Sequence, residues 1–186
     1  MRVFAAIPIE GGLREKIGRK IRKYREEFPE ARWISKENLH LTLRFIGEVP
    51  ESSIKELVGF IDSGVSGLKE KVQPLMVSGF GGFEGKGRAV FWIGLKEEEW
   101  LKSLAERLSG LVAGCVGEER HFRPHITICR FRIGKGERGR MRSLQSGVNR
   151  HGIVSGTQSK LRCVLFESVL SESGARYREL WTRNLT

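Results

Sequence analysis

Hydrophobic positions change period several times along the chain. From Arg2 to Ile9 they alternate, with Val3, Ala5, Ile7 and Ile9 on one face and Phe4 and Ala6 on the other, which predicts a strand buried on both sides. Pro8 puts its end at a sheet edge. Leu13, Ile17, Ile21, Tyr24 and Phe28 then recur at helical spacing with Arg and Lys opposite, predicting a basic amphipathic helix. Trp33 and Glu37-Asn38 lead into a second strand over 39–47, closed by Gly47-Glu48-Val49-Pro50. A second helix follows, with Ile54, Leu57, Val58, Ile61 and Val65 facing inward.

Beyond Gly64 and Gly67 the pattern predicts a β pair, 72–80 and 88–95, joined by the glycine-rich run from Gly79 to Gly87. This connector leads into an alternating strand, so it lacks the strand-to-helix context of a phosphate cradle and reads as a flexible hairpin loop. Glu97-Glu98-Glu99 suit a helix N-terminus ahead of Trp100, Leu101, Leu104, Leu108, Leu111 and Val112. A strand from His125, a short helix carrying Met141, Leu144 and Val148, and β segments near 152–158, 161–170 and 175–183 complete the chain. The order strand, helix, strand, helix occurs twice. This predicts a pseudo-symmetric α+β architecture of two antiparallel sheets with helices outside, over a single domain spanning 1–186.

Within that repeat, two strands carry the same signature: His40-Leu41-Thr42-Leu43 and His125-Ile126-Thr127-Ile128. Alternation sends each His and Thr to one face and the aliphatic residues into a core. Two such strands facing across a cleft would supply a general acid, a general base and two hydroxyl donors for an anionic substrate. The motifs use two of only four histidines; His121 and His151 read as surface or loop residues.

Composition narrows the chemistry. Of 22 acidic residues only Asp62 is an aspartate, which disfavours carboxylate-clustered two-metal sites, so no metal is expected. A net charge of +11 favours polyanionic partners such as nucleic acid, although solubility alone could explain a basic surface. Cys115, Cys129 and Cys163 are odd in number and show no C-x-x-C spacing, against a disulfide framework or structural zinc. No apolar run is long enough to span a membrane, and the expected location is cytoplasmic. Few Asn and Gln and the preference for Glu resemble thermophile composition.

The residues Arg2-Val3-Phe4-Ala5-Ala6-Ile7, Trp33, Glu37 to Glu48, Arg88, Phe91 to Leu95, Phe122 to Arg130, and Leu170-Ser171 with Gly174 and Tyr177 together resemble the 2H phosphoesterase superfamily. Within it, they resemble the RNA 2′,3′-cyclic phosphodiesterases also called 2′-5′ RNA ligases. The resemblance implies a bilobal fold with both motifs in a central groove. It also implies opening of an RNA 2′,3′-cyclic phosphate end to a 2′-phosphate, with His40 as proton donor, His125 as proton acceptor, and Thr42 and Thr127 on the phosphate oxygens. No cofactor and a monomer are expected. Whether a nucleotide such as ATP enters the groove stays open, as do end joining by the reverse reaction and RNA binding without catalysis.

Arg123 and Arg130 are the expected substrate-binding residues. Strict alternation puts Arg130 on the face opposite His125, unless the strand bulges at Cys129; the family resemblance implies a phosphate-contacting basic residue there. Arg44 by alternation shares the His40 face. From Arg130 to Arg150 seven Lys or Arg accompany only Glu137, a stretch that could contact RNA backbone or simply be a solvated face. Phe122 or another exposed aromatic could stack on a terminal base.

Overall fold

The computed structural model describes residues 1–111, 122–133, 137–151, 154–171 and 174–186. Cys115 and His121 lie outside them. Nine strands and four helices are described: β1 (Arg2–Pro8), α1 (Gly11–Glu27), β2 (Arg32–Trp33), β3 (His40–Glu48), α2 (Ile54–Ser66), β4 (Leu75–Gly85), β5 (Arg88–Leu95), α3 (Glu99–Leu111), β6 (His125–Arg132), α4 (Glu137–His151), β7 (Thr157–Gln158), β8 (Arg162–Ser171) and β9 (Gly174–Asn184).

The strands run in the order β7-β4-β5-β6-β3-β1-β8-β9, with β2 added beside β6. Every pairing is antiparallel. The order divides into two halves of four strands, β7-β4-β5-β6 and β9-β8-β1-β3, in which β1-α1-β3-α2 is matched by β5-α3-β6-α4. The two halves join at one cross-strand pair, Leu41 on β3 with Ile126 on β6. The two histidine strands therefore form the central seam of a bilobal α+β fold.

The expected helical periodicity is realised. Leu13, Ile17, Ile21 and Tyr24 of α1 are buried, and Arg25 in its last turn complements the helix dipole. Leu57, Ile61 and Val65 of α2, and Trp100, Leu101, Leu104 and Leu108 of α3, bury the same kind of stripe. These side chains share one core with Val3, Ala5 and Ile7 of β1, Leu41 and Leu43 of β3, and Ile126 and Ile128 of β6. On the other face of the first half, Phe4, Ala6, Val164 and Phe166 form a separate cluster with Tyr177 packed against it.

Gln158 ties the halves together. It is the one buried polar side chain among the described residues. Its Oε1 accepts from the Glu10 backbone N–H at 2.8 Å, and its Nε2 donates to the Pro8 and Lys160 carbonyls at 3.0 and 3.1 Å. Strand β7 thereby satisfies backbone groups at the end of β1 and the start of α1 that would otherwise be orphaned.

The glycine-rich connector differs from expectation. Residues 79–85 belong to β4, and the turn is reduced to Lys86 and Gly87, both at positive φ, 47° and 71°. Two such residues are the requirement of a tight hairpin turn whose twist suits the flanking strands. The glycines serve Trp92: a Cβ at Gly81 would lie 2.3 Å from the indole Cζ2. A run that looks like a loop is a strand stripped of side chains so that a neighbour's ring can lie across it. Helix α4 is also longer than expected, and the segment near 152–158 contributes only the two residues of β7 among those described.

Candidate active site

Each motif histidine is held by the backbone just before it. His40 Nδ1 lies 2.7 Å from the Asn38 carbonyl, and His125 Nδ1 lies 2.6 Å from the Arg123 carbonyl. A carbonyl can only accept, so Nδ1 carries the hydrogen in both rings and Nε2 is the atom left for chemistry. The two sites repeat the same device. Asn38 ends a one-turn helix at 36–38, and its side chain donates to the Ala175 carbonyl at 2.7 Å, fixing the start of β9 against the His40 site. Arg123, expected to bind substrate, has an exposed side chain and contributes its carbonyl to His125.

Antiparallel pairing through Leu41 and Ile126 sets His40 across from Thr127 and Thr42 across from His125. All four are half-buried while their aliphatic neighbours Leu41, Leu43, Ile126 and Ile128 are buried. The two imidazoles and two hydroxyls thus line one groove face, as the alternation predicts.

Beyond each motif the alternation breaks in the same way. Against β1, Ala6 faces Thr42 and Ala5 faces Arg44, so Leu43 is an extra residue; against β5, Trp92 faces Thr127 and Phe91 faces Cys129, so Ile128 is extra. Each bulge moves the side chains after it to the opposite face. Arg130 consequently returns to the face of His125. Arg44 pairs with core-facing Ala5, so it lies on the helix side, correcting the expectation that it shares the face of His40. The residue equivalent to Arg130 in the first half is Phe45, exposed on the groove side and stacked 6.4 Å from Phe4.

The surroundings of the two histidines differ. His40 contacts Phe4 at 5.0 Å and the edge of Tyr177 at 5.3 Å. Burial pushes its pKa down to about 4; the Arg130 and His125 charges act in the same direction, and the Asn38 hydrogen bond opposes them. His125 instead sits beside Phe83 at 5.8 Å and Trp92 at 5.9 Å. Phe83 is 44% exposed, an open aromatic face beside a catalytic candidate. Sequence reading singled out neither Phe83 nor Trp92 for this place, although the contact of Phe83 with Trp92 across the hairpin, at 5.4 Å, goes with the glycines opposite Trp92.

The thiols of Cys129 and Cys163 are buried, and burial holds both at about 12, well away from nucleophilic use. Among the described residues no three His, Cys, Asp or Glu side chains gather in a way that could hold a metal ion. No described helix is long and apolar enough to cross a membrane.

A pseudo-symmetric α+β fold whose central seam pairs two His-x-Thr strands defines the class of this protein. The family model of the 2′-5′ RNA ligase superfamily matches residues 13–140. The chain is 36% identical over 135 residues to the RNA 2′,3′-cyclic phosphodiesterase of Thermotoga maritima, covering 71% of each chain. It is 33% identical over 139 residues to that of Methanocaldococcus jannaschii, covering 72% of this chain and 73% of that one. The apo structure of E. coli LigT shares the fold, with a TM-score of 0.64 at 22% identity over 98% of this chain and 96% of LigT. The chain belongs to the 2′-5′ RNA ligase superfamily. LigT has also been crystallised with 3′-AMP and with ATP.

Proposed function

We propose that this chain hydrolyses RNA 2′,3′-cyclic phosphate ends to 2′-phosphomonoesters, without a metal, by acid–base catalysis between His40 and His125. The observation that carries the reading is the matched pair of Nδ1 contacts, which leaves the Nε2 of each ring for chemistry on two paired strands whose histidines share one face. The names of the relatives support the same substrate, and the nucleotide complexes of LigT support a groove that admits a nucleotide. Acting as a cytoplasmic monomer, one domain is sufficient for the reaction.

In this reading His125 Nε2 takes a proton from water as the water oxygen bonds to phosphorus. The bond from phosphorus to O3′ breaks, and His40 gives its Nε2 proton to that oxygen, so no charge is left on the leaving group. Thr42 and Thr127 donate to the non-bridging oxygens, and Arg130 neutralises charge that grows on them.

His40 must be protonated to act as donor, although its pKa in the free protein is about 4. Holding the proton at pH 7 then costs about 4 kcal/mol, three pH units at 1.36 kcal/mol each. One phosphodiester charge about 4 Å away contributes about 4 kcal/mol at an effective dielectric of about 20. Substrate binding and loading of the acid are thus one event: the anion draws the proton onto the ring that will spend it.

The test is an RNA oligonucleotide ending in a 2′,3′-cyclic phosphate, incubated in EDTA and analysed by mass and phosphatase mapping. The expected product has gained one water and carries a 2′-phosphate, and His40→Ala and His125→Ala each lower kcat/KM by at least about 10³-fold. Full activity in the double variant, or bound RNA that is never turned over, would overturn the reading.

A further inference from the structure

Arg32 on β2 and Arg130 on β6 are direct cross-strand partners. Both are exposed on the groove face, since Trp33, the neighbour of Arg32, packs into the main core and stacks on Tyr24 at 6.3 Å. Like charges placed opposite one another on a sheet repel. No carboxylate among the described residues forms an ion pair with either. An anion between them turns that repulsion into two charge-assisted bonds.

Tyr177 marks where the pair is directed. The Arg32 guanidinium runs past Gly174 at the start of β9, close enough that a Cβ there would be 3.6 Å from its Nη2. Three residues on, the Tyr177 ring wedges against Phe4 at 4.9 Å and against His40. Burial raises the Tyr177 pKa, while Arg130, Arg2 and Arg32 all pull it back, placing three cations around one phenol. Of these three only Arg130 also acts on His40. Arg130 thus acts on both His40 and Tyr177, and Arg32, its cross-strand partner, lies beside the start of β9 that carries Tyr177.

We propose that Arg32 and the Tyr177 hydroxyl, adjoining Arg130, form a second phosphate subsite that takes the phosphate on the 5′ side of the terminal nucleotide while its cyclic phosphate lies between the histidines. This rests on the function proposed above and names the substrate more narrowly. The site is built for an RNA end, whose terminal nucleotide always carries that 5′ phosphate in a diester, rather than for a free nucleoside 2′,3′-cyclic phosphate, which lacks it.

The experiment compares adenosine 2′,3′-cyclic phosphate with the same compound bearing a 5′-phosphate. The wild type should show kcat/KM at least tenfold higher for the 5′-phosphorylated compound, mostly through KM. Arg32→Ala should shrink that preference at least fivefold, Arg32→Lys should restore part of it, and added KCl should erode it in the wild type. Equal kcat/KM values in the wild type, or an equal loss on both compounds in Arg32→Ala, would overturn the subsite. If neither compound is hydrolysed, the oligonucleotide assay above decides the proposed function, and the subsite is read from equilibrium binding of 5′-AMP against adenosine. Tighter binding of 5′-AMP that disappears in Arg32→Ala supports it, and equal affinities overturn it.

Discussion

Leu41 on β3 faces Ile126 on β6 in the one cross-strand pair that joins the two halves of the sheet, and both side chains are fully buried. This contact sets the register of the site, because a slip of either strand by one residue would send its histidine to the opposite face from the other. Leu41→Ala should lower stability by about 2–5 kcal/mol in urea denaturation, the range for truncating a core leucine. A loss below about 1 kcal/mol would show that the seam is held elsewhere.

His40 should titrate far below an ordinary imidazole in the free protein, with an NMR midpoint of about 4. Because the folded pKa lies below the unfolded one, the neutral ring contributes stability that is present above about pH 6.5 and is lost as pH falls towards 4. Saturation with inorganic phosphate or 3′-AMP should raise the midpoint. By the same shift, the alkaline limb of kcat should lie at higher pH than that of kcat/KM, which reports the free protein. A midpoint that does not move on anion binding would favour His40 as the base.

The bulge at Ile128 gives Arg130 its place beside the histidines. Arg130→Ala should reduce kcat/KM on a cyclic-phosphate RNA end by about 10²-fold or more, the cost of losing a charge-assisted contact to a developing oxyanion. Arg130→Lys should recover only part, since a point charge cannot reproduce the planar fork. Arg44→Ala, on the helix side, should act on thermal stability more than on kcat.

Gly81 is shaped by Trp92. Gly81→Ala places a methyl 2.3 Å from the indole, so the ring must move, and with it the support of His125. We expect a loss of about 1–3 kcal/mol in thermal unfolding, and a shifted His125 Cε1 proton resonance. An unchanged resonance would separate Trp92 from the histidine.

Gln158→Leu fills similar space but leaves the Glu10 N–H and the Pro8 and Lys160 carbonyls without their partner. A loss of about 1–3 kcal/mol in denaturant unfolding is expected. Neutrality would mean that water replaces the amide at all three.

Much of this site was legible because alternation is a local rule: His40 and Thr42, and His125 and Thr127, needed only a strand to share a face. Leu43 and Ile128 were not legible as bulges, since each is an apolar residue in an apolar run and only the registers against β1 and β5 reveal the extra residue. The placements of Arg44 and Arg130 turned on that hidden insertion. The glycine run read as a loop because glycine carries no side chain to report a partner; its meaning lay in Trp92, across the hairpin. The second contact of Asn38 lies 137 residues away in sequence, beyond any spacing rule.

Matching bulges at Leu43 and Ile128 leave, five residues after each motif histidine, an arginine in one half and a phenylalanine in the other, Arg130 and Phe45. A groove with true twofold equivalence would read like a palindrome, accepting a nucleotide end in either direction with each histidine serving in either role. Arg130 on one side and, on the other, a phenylalanine lying under the Arg2 guanidinium make the two ends of the seam chemically unlike, so a bound sugar-phosphate chain would meet a different neighbour at each end before any base is recognised.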